Sequence, residues 1–398
     1  MKKFDLFFEI KNEGEIIKLY AENKNAFELC FENNVLTAKA YYSLKETPLI
    51  LKADAKTGDS VKIRFYPYRI ELYVNGELLD EEWPYGEALI TKAEEFSLLA
   101  KPFEEENKII PSVIATFTNA EGWRPEENVY VGDCMPYTYE NKYHVLYLKD
   151  RHNHRSKWGK GAHQWEHIST SDFISWDIHP MAVEIDDPME GSICTGSFIE
   201  AVDKQYLYYT VRMADGSSAP IMRSVSEDGY HFKKDKNFAF RLSEKYTGES
   251  ARDPKVIRDS EGVYHMFVTS SLEKEKKGCL VHLTSTDTSR WAEESEPIYI
   301  SETNDEPECS DYFCFKGHYY LIFSIRGVGK YLYSKEPFSN WVTPENPDIP
   351  CKTVPKAAIY GGKIIFTGYN NLWPHLYAGT MTFKEADVNE KGEMIFKD

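Results

Sequence analysis

The 398-residue sequence has no apolar run near the roughly 20 residues that a membrane-spanning helix requires. It also has few cysteines: seven, an odd number spread without the spacing of metal ligands. That usage argues against a disulfide framework and suits a reducing compartment. The stretch Met1–Asp5 continues into charged residues, so no signal peptide is expected. We therefore predict a cytoplasmic protein.

Positive charge is scarce as well, with 47 Lys and Arg against 64 Asp and Glu and a formal net charge of −17. An excess of negative charge repels phosphate backbones and anionic lipid surfaces. The balance therefore argues against nucleic acid and membranes as partners, and it is compatible with a neutral ligand such as a sugar. The oligomeric state stays open.

Aromatic residues, by contrast, make up 14% of the chain. They recur in short runs bounded by Gly, Asn and Asp, which is typical of an all-β protein. Within residues 1–110 apolar and polar residues alternate, and two strand-like runs flank Asn75 and Gly76, a strong hairpin signal. We predict an accessory β-sandwich of the lectin or laminin-G type over 1–110 and a linker over 111–126.

The remainder of the chain contains an internal repeat. An aromatic strand-like run recurs five times, at Lys142–Tyr147, Gln205–Tyr209, Val263–Phe267, His318–Phe323 and Lys363–Phe366. A polar turn followed by an aromatic residue recurs in phase with it, at Ser171–Trp176, Ser226–Phe232, Ser285–Trp291 and Ser334–Trp341. Two signatures in phase predict a five-bladed β-propeller over 127–398.

Three carboxylates precede these runs at nearly equal offsets. Asp133, Asp253 and Glu308 lie ten or eleven residues before Tyr143, Tyr264 and Tyr319. Equal offsets predict equivalent innermost positions, which would bring the three side chains to one central funnel. Carboxylates gathered in this way drive their pKa values apart, as acid and base roles require.

The motifs around these residues resemble glycoside hydrolase family 32, the β-fructosidases that include invertases, inulinases and levanases. The matching stretches are Asp133 before the first repeat, Arg252-Asp253-Pro254, Glu308-Cys309-Ser310-Asp311, the segment 157–180 and Cys194–Phe198. The resemblance covers about 127–330. It implies a five-bladed propeller that cleaves β-fructosides or related small oligosaccharides.

The resemblance also implies a role for each residue. Asp133 would be the nucleophile and Glu308 the acid and base, in a retaining mechanism. Asp253, together with Arg252, would bind substrate hydroxyls and stabilise the transition state. No metal and no organic cofactor is expected. The further candidate substrate-binding residues are His163 and Gln164 as hydrogen-bonding groups, Trp158, Trp165 and Trp373 as stacking surfaces, and Thr195 and Ser197.

The sequence departs from the family pattern in two ways, and three other functions stay open. The stretch Val131–Tyr137 lacks the asparagine of the usual first-blade motif, and the sandwich precedes the propeller instead of following it. The alternatives are an inverting arabinosidase or xylosidase, a non-catalytic carbohydrate-binding protein, and a glycoside phosphorylase.

Four histidines lie within one short stretch, namely His152, His154, His163 and His167, but their spacing fits no zinc pattern.

Overall fold

The computed structural model describes residues 3–84, 86–104, 110–114, 123–124, 129–151, 162–202, 204–372 and 377–397, with 110–114 described as backbone alone. These residues are almost entirely β-structure, which confirms the predicted fold class. None of the helices in the described ranges has the length and apolar character needed to span a bilayer.

A first compact unit is built mainly from residues 1–106. Its strands are β1 (Phe4–Glu9), β2 (Gly14–Ala21), β3 (Lys24–Glu32), β4 (Val35–Tyr42), β5 (Lys45–Asp54), β6 (Ser60–Phe65), β7 (Ile70–Val74), β8 (Glu77–Glu82) and β9 (Lys101–Pro102). A 3₁₀ turn at Leu89–Lys92 and a short helix at Phe96–Leu99 follow β8.

The strands of this unit form two antiparallel sheets, β8-β7-β6-β1-β9 and β2-β3-β4-β5. Alternate residues of β4 and β6 are buried, and the two sheets contribute to one apolar core, in which Phe4 stacks on Phe65 at 4.6 Å. The predicted hairpin joins β7 to β8. Both turn residues, Asn75 and Gly76, have positive φ, as the tight turn between right-twisted strands requires.

A second compact unit is built mainly from residues 107–153, 163–184 and 192–398. Its strands are β10 (Ile110–Ile114), β11 (Tyr130–Tyr139), β12 (Lys142–Asp150), β13 (Trp165–Thr170), β14 (Ser175–Val183), β15 (Glu190–Glu200), β16 (Gln205–Met213), β17 (Ile221–Ser226), β18 (Lys233–Phe240), β19 (Arg252–Arg258), β20 (Tyr264–Ser271), β21 (Gly278–Ser285), β22 (Ala292–Glu293), β23 (Tyr299–Ile300), β24 (Glu308–Phe315), β25 (His318–Ile325), β26 (Val328–Ser334), β27 (Asp348–Tyr360), β28 (Lys363–Asn371), β29 (Gly379–Val388) and β30 (Met394–Phe396).

These strands form five consecutive antiparallel blades that begin at β11, β15, β19, β24 and β27. The repeated aromatic runs are the second strand of each blade, so the carboxylates lie on the innermost strand that precedes each run. β27 serves two blades, because Asp348 pairs with Lys330 of β26 and the residues from Thr353 onward pair with β28. The segment predicted as a linker includes residues of β10, which pairs with the outer strand β14.

The polar turn repeats because its hydrogen bonds are local. Oδ1 of Asp172, Asp228 and Asp287 each accepts the backbone N–H groups two and three residues further on. The residue after each aspartate has positive φ. Asp and Ser form such turns readily, so the signature recurs wherever a blade needs this turn.

A β-bulge interrupts the innermost strand of four blades at the same place. The pairing register shifts between Val131 and Cys134, Arg252 and Lys255, Glu308 and Asp311, and Thr353 and Lys356. Glu308 precedes its bulge, Asp253 is the first bulged residue and Asp133 the second. The three carboxylates therefore occupy three successive positions relative to the bulge, and the prediction that their positions are equivalent is wrong. A bulge also changes the direction of the side chains around it.

Candidate active site

Asp253 lies in the bulge of β19 with a φ of 56°. Aspartate enters this left-handed region more easily than most residues. Its Oδ1 accepts a hydrogen bond from the Thr195 hydroxyl of β15, and its Oδ2 accepts one from the backbone N–H of Cys309 of β24 at 2.9 Å. Because Asp253 is 3% exposed, its carboxylate is fixed between the two neighbouring blades.

Arg252 connects three carboxylates. Its Nη2 lies 2.9 Å from Oε1 of Glu308, its Nη1 2.5 Å from Oε2 of Glu306, and its Nε 3.6 Å from Oδ2 of Asp253. Burial acts to lower the pKa of the guanidinium, but the three carboxylates raise it above its ordinary value. Burial acts to raise the pKa of Glu306, and Arg252 and the Ser271 hydroxyl bring it below its ordinary value. Arg252 is thus a cation held between carboxylates.

Asp133 lies close to the same cluster from the first blade. Its Oδ1 accepts a hydrogen bond from the Tyr377 hydroxyl at 3.1 Å, and its Oδ2 lies 3.7 Å from Sγ of Cys309. Burial and the charges of Asp253 and Glu308 raise the pKa of Asp133 to about 7. Asp133 is therefore neutral in part and anionic in part within the physiological pH range.

Gly132 makes the approach of Tyr377 possible. A Cβ at this position would meet the Tyr377 hydroxyl at 2.6 Å, closer than any real contact of that kind. The tyrosine hydroxyl also accepts the backbone N–H of Asp133 at 3.3 Å. The glycine before the aspartate thus lets one phenol contact both ends of that residue.

Glu308 is more open than Asp253. Its side chain is 35% exposed, against 4% for that of Asp253. A ligand that enters from solvent can therefore contact Glu308 directly, while Asp253 lies deeper and is held by the protein. Arg252 restrains the Glu308 carboxylate on one side.

A second layer of charge lies at the ends of the bulges. Lys356, 1% exposed, donates to the carbonyl of Ser310 at 2.7 Å and to that of Gly196 at 3.1 Å. Burial lowers the pKa of this lysine. Nearby, Nζ of Lys255 lies 2.6 Å from Oδ1 of Asp311. Lys356 therefore joins the strand that contains Thr195 to the strand that contains Glu308.

Two residues predicted to bind substrate have other partners in the structure. Thr195 is 1% exposed and its hydroxyl donates to Asp253. The Ser197 hydroxyl donates to the carbonyl of Pro254 and accepts the N–H of Val256, both at 2.9 Å. The first residue positions a carboxylate and the second joins β15 to β19, so neither hydroxyl is directed to a sugar.

The first-blade candidates are also buried. Trp165 is fully buried and its indole N–H donates to the Cys194 carbonyl at 2.9 Å, so this ring offers no face for stacking, contrary to the prediction. His163 stacks on Tyr377 with ring centroids 4.9 Å apart. Because Tyr377 in turn contacts Asp133, one side chain separates His163 from that carboxylate. Gln164 is 2% exposed. Substrate contacts of His163 and Gln164 stay predictions.

Four residues named in the sequence analysis lie outside the described ranges, namely Trp158, Trp373, His152 and His154. Three residues close to the carboxylates were not predicted from the sequence, namely Tyr377, Glu306 and Lys356. Tyr377 lies in the last blade, where the family resemblance is weak, and Lys356 is one lysine in an otherwise apolar strand end. Of these three residues, Glu306 could have been inferred from the sequence. It lies two residues before Glu308, and a further carboxylate so close to the motif suggests a shared cation such as Arg252.

Residues 126–345 match the N-terminal domain of glycosyl hydrolases family 32. This segment is more than half of the chain. The chain belongs to glycosyl hydrolase family 32. The resemblance recognised in the sequence is thereby confirmed, and the match contains all three carboxylates but not Tyr377 or Lys356.

Individual relatives are distant. Sucrose-6-phosphate hydrolase of Escherichia coli is 24% identical over 233 residues, which are 56% of this chain and 46% of that protein. The chain spans less than half the length of the curated relatives considered. Fructan 1-exohydrolase IIa of Cichorium intybus superposes with a TM-score of 0.57 at 14% identity, covering 69% of this chain and 59% of that chain.

A second group of enzymes shares the fold. A thermostable family-43 glycoside hydrolase superposes with a TM-score of 0.52 at 14% identity, covering 71% of this chain and 96% of that chain. At such low identity these superpositions establish the fold alone. The family 32 assignment depends on the sequence match, and the chemistry has to be argued from the carboxylates.

Proposed function

We propose that this family 32 chain is a retaining glycosidase that cleaves β-fructosides or related small oligosaccharides. The observation that carries the proposal is the linkage of three carboxylates from three blades. Asp253 accepts the N–H of Cys309, Cys309 contacts Asp133, and Arg252 joins Asp253 to Glu308. Two of these groups can act on opposite sides of a glycosidic bond while the third binds hydroxyls.

In the proposed reaction Asp133 attacks the anomeric carbon and Glu308 donates a proton to the departing oxygen. The bond from the sugar to the leaving group breaks and a glycosyl ester with Asp133 forms. Glu308 then removes a proton from water, which attacks the same carbon and releases Asp133. Asp253 accepts hydrogen bonds from sugar hydroxyls and stabilises the positive charge that develops in the transition state.

The protonation of Asp133 sets the pH at which this scheme can operate. The reaction requires a proton on the acid and none on the nucleophile. In the free protein, burial and like charges retain a proton on Asp133 up to a pKa of about 7. The nucleophile therefore becomes available as the pH rises through about 7, which gives the activity an acidic limb near that value.

The substrate is proposed to end in a fructosyl unit. The curated relatives are named for hydrolysis of sucrose 6-phosphate and of β-fructofuranosides, and structural relatives are named for fructans and sucrose. A small oligosaccharide is consistent with the burial of Asp253 below the more open Glu308. A cytoplasmic location stays a prediction.

Turnover of a substrate panel tests the proposal. The panel contains sucrose, sucrose 6-phosphate, 1-kestose, inulin and aryl α-arabinofuranosides and β-xylosides, with methanol added as an acceptor. We expect fructose release and methyl β-fructofuranoside, detected by NMR, and more than a thousandfold loss in Asp133→Asn.

Other results would overturn the proposal in distinct ways. Cleavage of arabinosides or xylosides with inversion would favour the family-43 type of reaction. Strict dependence on phosphate would indicate a phosphorylase. Tight binding of fructosides without turnover would indicate a carbohydrate-binding protein.

A further inference from the structure

Three buried histidines lie on one face of the first blade. His144, His167 and His179 belong to the adjacent strands β12, β13 and β14. His167 pairs directly with His179, and His144 is diagonal to His167 because it pairs with Ser169. Side chains in these relations are neighbours on the sheet surface. The three imidazoles are thus brought together by strand register and not by spacing in sequence.

The rings are almost completely excluded from solvent, at 0%, 0% and 4% exposure for His144, His167 and His179. Nδ1 of His144 lies 3.0 Å from Nε2 of His167, and one ring nitrogen from each of the three lies within 4.8 Å of the others. Nδ1 of His167 and Nδ1 of His179 have no hydrogen-bond partner within the described residues.

The third blade supplies an internal comparison. His265 and His282 have the same diagonal relation there, with Nδ1 of His265 lying 2.9 Å from Nε2 of His282. The outer nitrogen of His265 lies 3.2 Å from a carboxylate oxygen of Asp259. That pair is therefore completed by an acid. The first blade has a third imidazole in addition to its pair, and that set of three is the one that could hold a metal among the described residues.

The side chains of the cluster suit a cation of the zinc type, because imidazole nitrogen is a common ligand of divalent transition metals. The Tyr137 hydroxyl, 2.8 Å from Nε2 of His167, and the Ser169 hydroxyl, 2.8 Å from Nε2 of His179, are oxygen donors within reach.

The spacing is close to what a metal requires. Zinc bonds to histidine nitrogen of about 2.0–2.1 Å separate tetrahedral ligands by roughly 3.4 Å. The closest pair in the cluster already lies at 3.0 Å. Since the three nitrogens lie within 4.8 Å of one another, the third needs to move by at most about 1.4 Å to reach that separation.

We propose that His144, His167 and His179 form a structural site for one divalent transition metal ion, with Zn²⁺ or Co²⁺ as suitable occupants and Tyr137 or Ser169 as the fourth ligand. The site lies on the face of the first blade where Tyr230 of the second blade packs against the imidazoles. Its function is to stabilise the packing of these two blades. This revises the expectation from the sequence that the chain holds no metal.

Metal titration of the full chain tests the site. After treatment with a chelator, the protein is loaded with ZnCl₂ or CoCl₂, desalted and analysed for metal content, and its Tm is measured. We expect one ion per chain, a visible absorption band of four-coordinate Co²⁺, and a higher Tm than that of the stripped protein. His179→Leu should lose the bound ion and the metal-dependent rise in Tm.

The matched control is His282→Leu, which removes one histidine of the blade with only two. It should bind one ion with an unchanged rise in Tm. If His179→Leu fails to fold, His179→Asn serves in its place, since it keeps the volume polar and removes the imidazole. No bound ion in the wild type, or equal binding by the His179 variants, would overturn the proposal, and neither result bears on the glycosidase activity.

Discussion

Replacing Asp133 with asparagine is expected to stabilise the propeller as the pH rises, while it abolishes activity. The pKa of Asp133 is raised from 3.8 to about 7 by burial and by the charges of Asp253 and Glu308. Between these two values the folded chain keeps a proton that the unfolded chain has lost. Stability therefore falls with rising pH across this window, and asparagine removes that dependence.

The magnitude follows from the same two values. The interval from 3.8 to about 7 corresponds to about 4 kcal/mol at pH 8, as an upper limit. At pH 5 only the interval from 3.8 to 5 contributes, about 1.5 kcal/mol. For a domain of this size we expect Asp133→Asn to raise Tm by roughly 10 °C at pH 8 and roughly 4 °C at pH 5.

Thermal unfolding of both proteins from pH 5 to pH 8, followed by calorimetry, measures this difference. Glu306→Gln is a control of opposite sign within the same cluster, because Arg252 and Ser271 lower the pKa of Glu306. Glu306 contributes stability above its unfolded pKa that is lost as pH falls, so its variant should be less stable at pH 8. A Tm difference for Asp133→Asn that does not grow with pH would refute the electrostatic account of the site.

Three further variants test the positioning of the carboxylates. The Tyr377 hydroxyl lowers the pKa of Asp133, so Tyr377→Phe should raise that pKa. The acidic limb of the pH profile of kcat/KM, expected near pH 7 in the wild type, should then move to higher pH, and a limb that stays in place would contradict this. Thr195→Val removes one donor to Asp253 and should lower kcat about 10- to 100-fold with the limb nearly unchanged, as loss of a hydrogen bond to a charge implies; unchanged kcat would contradict the role. Lys356→Met removes a buried cation near Asp253 and should lower kcat at least tenfold and shift the limb upward; a loss of Tm without a shifted limb would indicate a purely structural role.

Much of the fold follows from local chemistry and could therefore be predicted. The turn around Asp172, Asp228 and Asp287 uses only hydrogen bonds within a few residues, so its sequence signature survives in each of the first three blades. The bulges could not be predicted in this way. A bulge is a mismatch between two strands, and neither strand alone contains the signal that places Asp253 and Asp133 at different bulge positions.

The candidate site likewise has residues that local sequence motifs indicate and residues that only long-range contacts bring in. Its carboxylates were found because they lie in short motifs, whereas the hydroxyl of Tyr377 reaches Asp133 across 244 residues of sequence and Lys356 reaches Ser310 across 46. Thr195 was predicted as a substrate-binding residue, but its burial and its contact with Asp253 depend on the tertiary packing of two blades. Residue type in a motif indicates membership of a site, and contacts decide the role.

The central claim is that Asp133 forms a covalent bond to the sugar while Glu308 supplies and then removes a proton. Mass spectrometry of Glu308→Gln incubated with an aryl β-fructofuranoside tests it most directly, because the good leaving group needs no acid and the slow second step traps the intermediate. We predict a fructosyl adduct on the peptide that contains Tyr130–Tyr139, absent when Asp133 is also replaced by asparagine. An adduct on another peptide, or rapid turnover to the inverted sugar without an adduct, would contradict the account.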